Sequence, residues 1–160
     1  LGDVYKRQLL NFETTAIDPD KKMLELNAFD NKVLGSAENL PFEDNSFDNV
    51  FCSFVWRNVS NTNNAMNEVY RVLRPGGKFI LLDMTRPKNS FLRMLHKIGT
   101  FKVLHLIGLI TFNLKEYRFL YKSLDFYPQP EEHLNKDNFI DLKIERMGVF
   151  NFVYLAVFTK

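Results

Sequence analysis

The sequence has a single cysteine, Cys52, which excludes an internal disulfide and offers no thiolate pattern for a metal; a reducing compartment is the default. Neither sign of charge dominates. The 21 Lys and Arg residues stand against 19 Asp and Glu, interspersed, so no basic face argues for nucleic acid. Apolar runs are short: the cleanest, within "NSFLRMLHKIGTFKVLHLIGLITFN", is about ten residues, against the roughly 20 a membrane span requires. Secretory signal, internal repeat and low-complexity tract are all missing. Glycine is scarce where a nucleotide fold needs it. The opening "LGDVYKRQLLNFETTAID" ends on Asp18, a carboxylate at a strand end, yet only Gly2 lies upstream. What remains is a globular composition, 46% apolar and 25% charged, in 160 residues that suit one domain with a real core.

Up to residue 90 the pattern alternates between strand and helix. "TTAID" (14–18) is β-prone, and "PDKKMLELNAF" offers Met23, Leu24 and Leu26 to a core, with Asp18–Pro19 reading as an N-cap and first helical position. "KVLGSA" (32–37) is a second strand. "FDNVFCSFV" (47–55) is a nearly continuous apolar run, as expected of a strand buried on both faces. "TNNAMNEVYRVL" (62–73) has helical spacing and stops at "RPGG", after which "KFILLDM" (78–84) is the next buried strand. Such alternation predicts a parallel α/β sheet with helices on both faces and ligands beyond the carboxyl ends of the strands. Asp18, Ser36, Ser53 and Asp83 all fall at such ends. Further on, "LKEYRFLYKSLDF" (114–126) is an amphipathic helix ended by "YPQP", and "FIDLKIERMGVFNFVYLAVFTK" reads as two antiparallel strands around Gly148.

Two stretches carry a resemblance. "GSAENLPFEDNSFDNVFCSFVWRNV" with "EVYRVLRPGGKFILLDMTRP", and separately "IGLITFNLKEYRFLYKSLDFYP", resemble the ubiquinone/menaquinone-biosynthesis C-methyltransferase family, within the class I S-adenosyl-L-methionine (SAM)-dependent methyltransferases. The likeness covers about residues 12–160, with Arg74 for Lys, Asp83 for Glu and Thr85 for Ser. It implies a class I methyltransferase Rossmann-like sheet, mostly parallel with a carboxyl-terminal antiparallel strand, lacking its first strand and glycine-rich loop. Residues 3–8, "DVYKRQ", are what gat-gtg-tat-aag-aga-cag encodes, a transposon end used to fragment DNA. Residues 1–8 are accordingly read as a library scar, 9–160 as part of the methyltransferase domain, and about 87–128 as a helical substrate cap. The family's first strand lies between those ending at Asp18 and Ser53. A chain without it is expected to bind SAM poorly and to aggregate.

The resemblance also implies roles. Asp18 takes the ribose hydroxyls of SAM, with a helix N-cap as the alternative. Ser36 and Ala37 meet the adenine, Ser36 standing where the family has Asp or Asn, and Leu40, Pro41 and Phe42 either wall it or pack on the core. Ser53 is a further cofactor contact. Arg57 and Asn58 face a phenolic acceptor, where a guanidinium would favour the phenolate needed for methylation at the neighbouring ring carbon; a surface salt bridge is the alternative for Arg57. His96, His105 and Tyr117 are weaker candidates for a proton relay. Arg74, Pro75, Gly76 and Gly77 read as structural, with glycines at positive φ. Glu131, Glu132 and His133 read as a helix start, and no metal site is expected. The segment 91–112 is either a core-facing helix pair or an apolar lid that takes a polyprenyl tail and rests on a membrane, with Lys97 and Lys102 toward head groups. The expected protein is a cytoplasmic enzyme, peripheral on the inner face of the membrane, methylating a lipophilic quinol without nucleic acid. Two rivals stand: a methyltransferase for another small apolar acceptor, and a non-catalytic relative that binds a quinone or a partner.

Overall fold

The structure is a computed structural model and describes residues 13–134 and 138–160; the segment 1–8 lies outside them. In chain order the elements are β1 (Thr15–Asp18), α1 (Lys21–Leu26), β2 (Asn31–Leu34), β3 (Phe47–Ser53), α2 (Thr62–Val72), β4 (Leu73–Met84), α3 (Ser90–Ile110), α4 (Leu114–Phe126), α5 (Pro130–His133), β5 (Asp141–Met147) and β6 (Val153–Thr159). Short 3-10 turns occupy Trp56–Asn58 and Val149–Asn151. β1 and β2 pair in parallel. The larger sheet runs β3-β4-β6-β5, with β3 parallel to β4 and the other two pairs antiparallel. The α/β architecture and the antiparallel pair around Gly148 are both present, Gly148 turning the chain at φ +79°. The two sheets divide between β1 and β3, where the resemblance places the family's first strand, and each of these strands has an edge without a partner among the described residues.

Strand alternation decides which side of the larger sheet becomes core. Register sets Phe79, Leu81 and Asp83 of β4 beside Phe158, Ala156 and Tyr154 of β6, and those beside Leu142, Ile144 and Arg146 of β5. α2 lays Ala65, Met66, Val69 and Val72 on this face, one stripe at helical spacing, and caps itself with the Asn61 side chain on the Asn64 N–H. Trp56, Phe79, Phe158, Phe139 and Tyr70 form a chain of touching rings through it. The opposite face, with Ile80, Leu82, Leu155 and Val157, is only half-buried, and Phe51 on β3 is 54% exposed.

Three local expectations are corrected. β3 is not buried on both faces, because one edge and one face lack cover among the described residues. In α1 only Leu24 is buried, while Met23 and Leu26 are exposed; among the described residues this helix packs mainly on the small β1–β2 sheet. The N-cap is Asp20, which accepts from the Lys22 N–H at 2.8 Å; Asp18 stands one step back and accepts from the Asp20 N–H at 2.8 Å.

The two glycines of "RPGG" serve different needs. Gly76 adopts φ +79°, whereas a Cβ on Gly77 would sit 2.8 Å from the carbonyl oxygens of both Arg74 and Asp48. Backbone cannot yield as a flexible side chain can. Gly77→Ala is therefore expected to lower unfolding stability by about 1–3 kcal/mol, the cost of an overpacked site, and more than Lys78→Ala in a side-by-side denaturant titration.

Candidate active site

The parallel strands put Asp18, Ser36 and Ser53 at or just past their carboxyl ends. Gly35 follows β2 and its N–H reaches the Asp18 carbonyl at 3.2 Å, so the turn carrying Ser36 and Ala37 lies against the tip of β1. The Ser36 hydroxyl donates to Glu38 Oε2, and Glu38 Oε1 accepts from the N–H groups of Ser60 (2.9 Å) and Asn61 (3.3 Å). These bonds, the Ser36 one foremost, hold the Glu38 carboxyl below its ordinary value. They also tie the turn after β2 to the segment after β3. Arg71 of α2 braces the same turn, donating to the carbonyls of Leu40 (2.9 Å) and Phe42 (2.7 Å) and pairing with Glu68 and Asp44. Leu40 is buried and Phe42 stands edge-on to Phe47, so both pack on the core. Ala37 packs at the core margin, and Ser53 is exposed at the tip of β3.

Arg57 and Asn58 part company on the 3-10 turn. Asn58 is exposed, whereas Arg57 is turned inward with its side chain 4% exposed, so its salt bridge is buried rather than on the surface. Its Nη1 stands 3.0 Å from Asp83 Oδ1, a charge contact outside hydrogen-bond alignment, while its main-chain N–H donates to Oδ2 at 3.3 Å. Asp83 also accepts from the Met84 N–H at 2.7 Å. Burial raises the Asp83 carboxyl above its ordinary value, and the Arg57 charge opposes that shift. Burial, aided by the Asp83 charge, pushes the Cys52 thiol up to about 12 and also raises the Tyr127 and Tyr154 phenols. Arg57 Nε, Tyr127 Oη, Tyr154 Oη and His133 Nε2 are buried without a hydrogen-bond partner.

A second buried arginine, Arg86, locks α3 and α4 to the end of β4. It is 3% exposed and donates to Asp125 Oδ1 (2.9 Å), Thr100 Oγ1 (2.8 Å), the Tyr121 carbonyl (3.2 Å) and His96 Nδ1 (3.2 Å). His96 is thus committed to the lock as an acceptor. His105 and Tyr117 line a groove of about 150 Å³ between α3 and α4 with Phe101, Leu104, Leu114 and Tyr121.

A family model, the ubiE/COQ5 methyltransferase family, matches residues 4–147. The chain belongs to this family. A ubiquinone/menaquinone biosynthesis C-methyltransferase UbiE of Rickettsia bellii (strain OSU 85-389) is 44% identical over 115 residues, covering 70% of this chain and 46% of the relative. That of Rickettsia felis is 38% identical over 135 residues, covering 82% and 52%. The chain thus spans about half the length of these curated relatives. Its fold matches a SAM-dependent methyltransferase of Thermotoga maritima (TM-score 0.62, 21% identity, 90% of this chain and 72% of that one) and PH0226 of Pyrococcus horikoshii (0.56, 20%, 99% and 77%).

Sequence reading of this family member reached the strand tips but missed Glu38, Arg71, Arg86, Tyr127, Tyr154 and His133 as parts of the site's frame. Glu38 had a signal, standing inside the "AEN" of the quoted motif. The others come from α2, the end of β4, the end of α4, α5 and β6, and only the tertiary fold brings them together.

Proposed function

We propose that this chain is part of a longer SAM-dependent C-methyltransferase acting on a polyprenylated quinol precursor of ubiquinone or menaquinone. One observation carries the cofactor reading: the chemistry offered at the tips of β1 and β2. Asp18 spends Oδ1 on the Asp20 N–H and keeps Oδ2 for ribose hydroxyls. Ser36 gives its proton to Glu38, so its oxygen can accept from an adenine amine despite standing where the family has Asp or Asn. These donors and acceptors fit the nucleoside, with Ala37 and Ser53 as further contacts. SAM, when bound, supplies a methyl group on a positively charged sulfur. The chain's own part is to orient the acceptor and to steady its phenolate with the Arg57 charge, Asn58 standing beside it on the turn. The division between β1 and β3 supports a strand and glycine turn supplied by other residues of the longer protein; the upstream reading frame at the source locus tests this, and whether residues 1–8 belong to the gene.

The α3–α4 pair, within the span 87–128, supports a cap over a lipophilic acceptor. α3 has no acidic residue, carries Arg93, Lys97 and Lys102, and exposes Phe91, Ile98, Phe101, Leu106 and Leu109. Among the described residues no helix is long and apolar enough to cross a membrane. An amphipathic basic surface of this kind suits peripheral contact with an anionic bilayer on the cytoplasmic side.

The experiment is calorimetry of the full-length protein with S-adenosylhomocysteine. Wild type is expected to bind, and Asp18→Ala to bind about 10²-fold more weakly, the loss of charged hydrogen bonds. No heat with wild type at high concentration would instead support the non-catalytic relative. Methyl transfer to a demethylated naphthoquinol, set against a panel of lipophilic phenols, separates the quinol reading from another apolar acceptor.

A further inference from the structure

Close to the Asp83–Arg57 pair, on the short helix α5, lies an unspent base. Tyr127 closes α4, and its ring meets that of His133 on α5 edge-on, centroids 4.5 Å apart. Tyr154 comes from β6, register partner of Asp83 and fully buried. The His133 tautomer follows from its neighbour. Nδ1 lies 2.8 Å from the Gln129 carbonyl, which can only accept, so Nδ1 carries the hydrogen. A neutral ring then presents a lone pair at Nε2, and that atom is buried without a partner, as are the Tyr127 and Tyr154 hydroxyls. Buried polar atoms left unpaired cost free energy, and several in one place call for a hydroxyl or water to satisfy them.

We propose that His133 Nε2 is the proton acceptor for the hydroxyl of the methyl acceptor, with Tyr127 and Tyr154 as the groups that position it. The inference rests on the methyltransferase reading above. In the step, the acceptor's O–H bond breaks and an N–H bond forms at Nε2. The electron pair stays on oxygen and raises electron density at the neighbouring ring carbon, while Arg57 faces the new negative charge. The imidazolium afterwards releases its proton to solvent.

Geometry keeps the base ready. Burial lowers His133 below its ordinary 6.5, outweighing the Gln129 bond and the nearby charges that favour its protonation: Asp83 on β4, and Glu132 and Glu131 on its own helix. The Asp83 charge also acts on Cys52 on β3, Tyr127 at the end of α4 and Tyr154 on β6, and Arg57 on the 3-10 turn acts on Asp83. His133 is therefore neutral near pH 7 and able to accept.

The test uses the full-length protein and His133→Asn, whose amide can keep the bond to the Gln129 carbonyl while removing the atom at Nε2. His133→Gln is the second variant, placing a non-titrating amide near Nε2. Binding of S-adenosylhomocysteine is expected to be unchanged in both. With a demethylated naphthoquinol, kcat should fall about 10²-fold, as for loss of one general base, and the acidic limb of the kcat/KM profile below pH 6.5 should vanish. A lipophilic nitrophenol added with S-adenosylhomocysteine, below its own pKa, should show its phenolate band with wild type and lose it with either variant. Methylation by wild type together with unchanged kcat and pH profile in the variants overturns this assignment alone, as does absence of the phenolate band in wild type, which leaves water as the partner of these buried atoms. Absence of both cofactor binding and methyl transfer in wild type overturns the methyltransferase reading, and this assignment with it.

Discussion

Asp83→Ala is expected to lower unfolding stability by about 3–5 kcal/mol, the range for removing one member of a buried ion pair. The reason lies in what stays behind. The Arg57 side chain is 4% exposed, its Nε has no partner, and Asp83 is its only ion-pair partner among the described residues. Without Asp83 a positive charge remains in an apolar setting beside Trp56 and Cys52, and the N–H groups of Met84 and Arg57 lose their acceptor as well. Asp83→Asn should fall between wild type and alanine, because it keeps an acceptor oxygen but not the charge. The double change Asp83→Leu with Arg57→Met should recover much of the loss, since an apolar pair of similar volume avoids both desolvation penalties. Denaturant titration of the four proteins decides; a loss below about 1 kcal/mol in Asp83→Ala would show that the pair does not organise this end of the sheet.

The same pair shows how far the sequence could be read. Its strand-end carboxylate was visible in "LLDM", and Arg57 in "WRNV", 26 positions earlier. That they meet depends on the parallel register of β3 with β4, which brings Ser53 beside Leu82 and the following 3-10 turn over Asp83. The apolar run of "FVYLAVFTK" reads as a strand, but Tyr154 is there one more apolar position until its register partner is known. Local signals fared best where local chemistry decides: the helical spacing of "TNNAMNEVYRVL", which forms α2 over Thr62–Val72, and the Gly148 turn. They fared worst where cover by other elements decides. "FDNVFCSFV" has the composition of a doubly buried strand, yet its burial depends on neighbours that its own residues do not specify. For the strand tips, position was legible and engagement was not: Ser36 looked free, and only the fold shows its hydroxyl spent on Glu38.

Arg86→Leu is expected to undock the α3–α4 pair at a cost of about 3 kcal/mol, from the loss of several hydrogen bonds to one buried charge. Arg86 reaches two residues on α4, Tyr121 through its carbonyl and its ring and Asp125 through its carboxylate, and two on α3, His96 and Thr100. Asp125 would keep Lys97 at 3.4 Å, which limits its share of the loss. Hydrogen exchange on the full-length protein should show protection falling in 90–126 while β3, β4 and β6 stay protected; a uniform fall would mean that the cap and sheet unfold as one unit. Acid should act on the same lock. Arg86 can only donate, so His96 Nδ1 must hold a lone pair, and burial with the Arg86 charge lowers His96 below its ordinary 6.5. Its ring meets the Arg86 guanidinium and the Phe152 ring, neither of which stabilises an imidazolium by charge. The undocked form therefore binds the proton more tightly, so docking is fully stable above pH 6.5 and weakens as pH falls toward the lowered value. His96→Phe should remove that acid sensitivity while keeping a ring against Phe152, and persistence of the pH dependence in this variant would place the titrating group elsewhere.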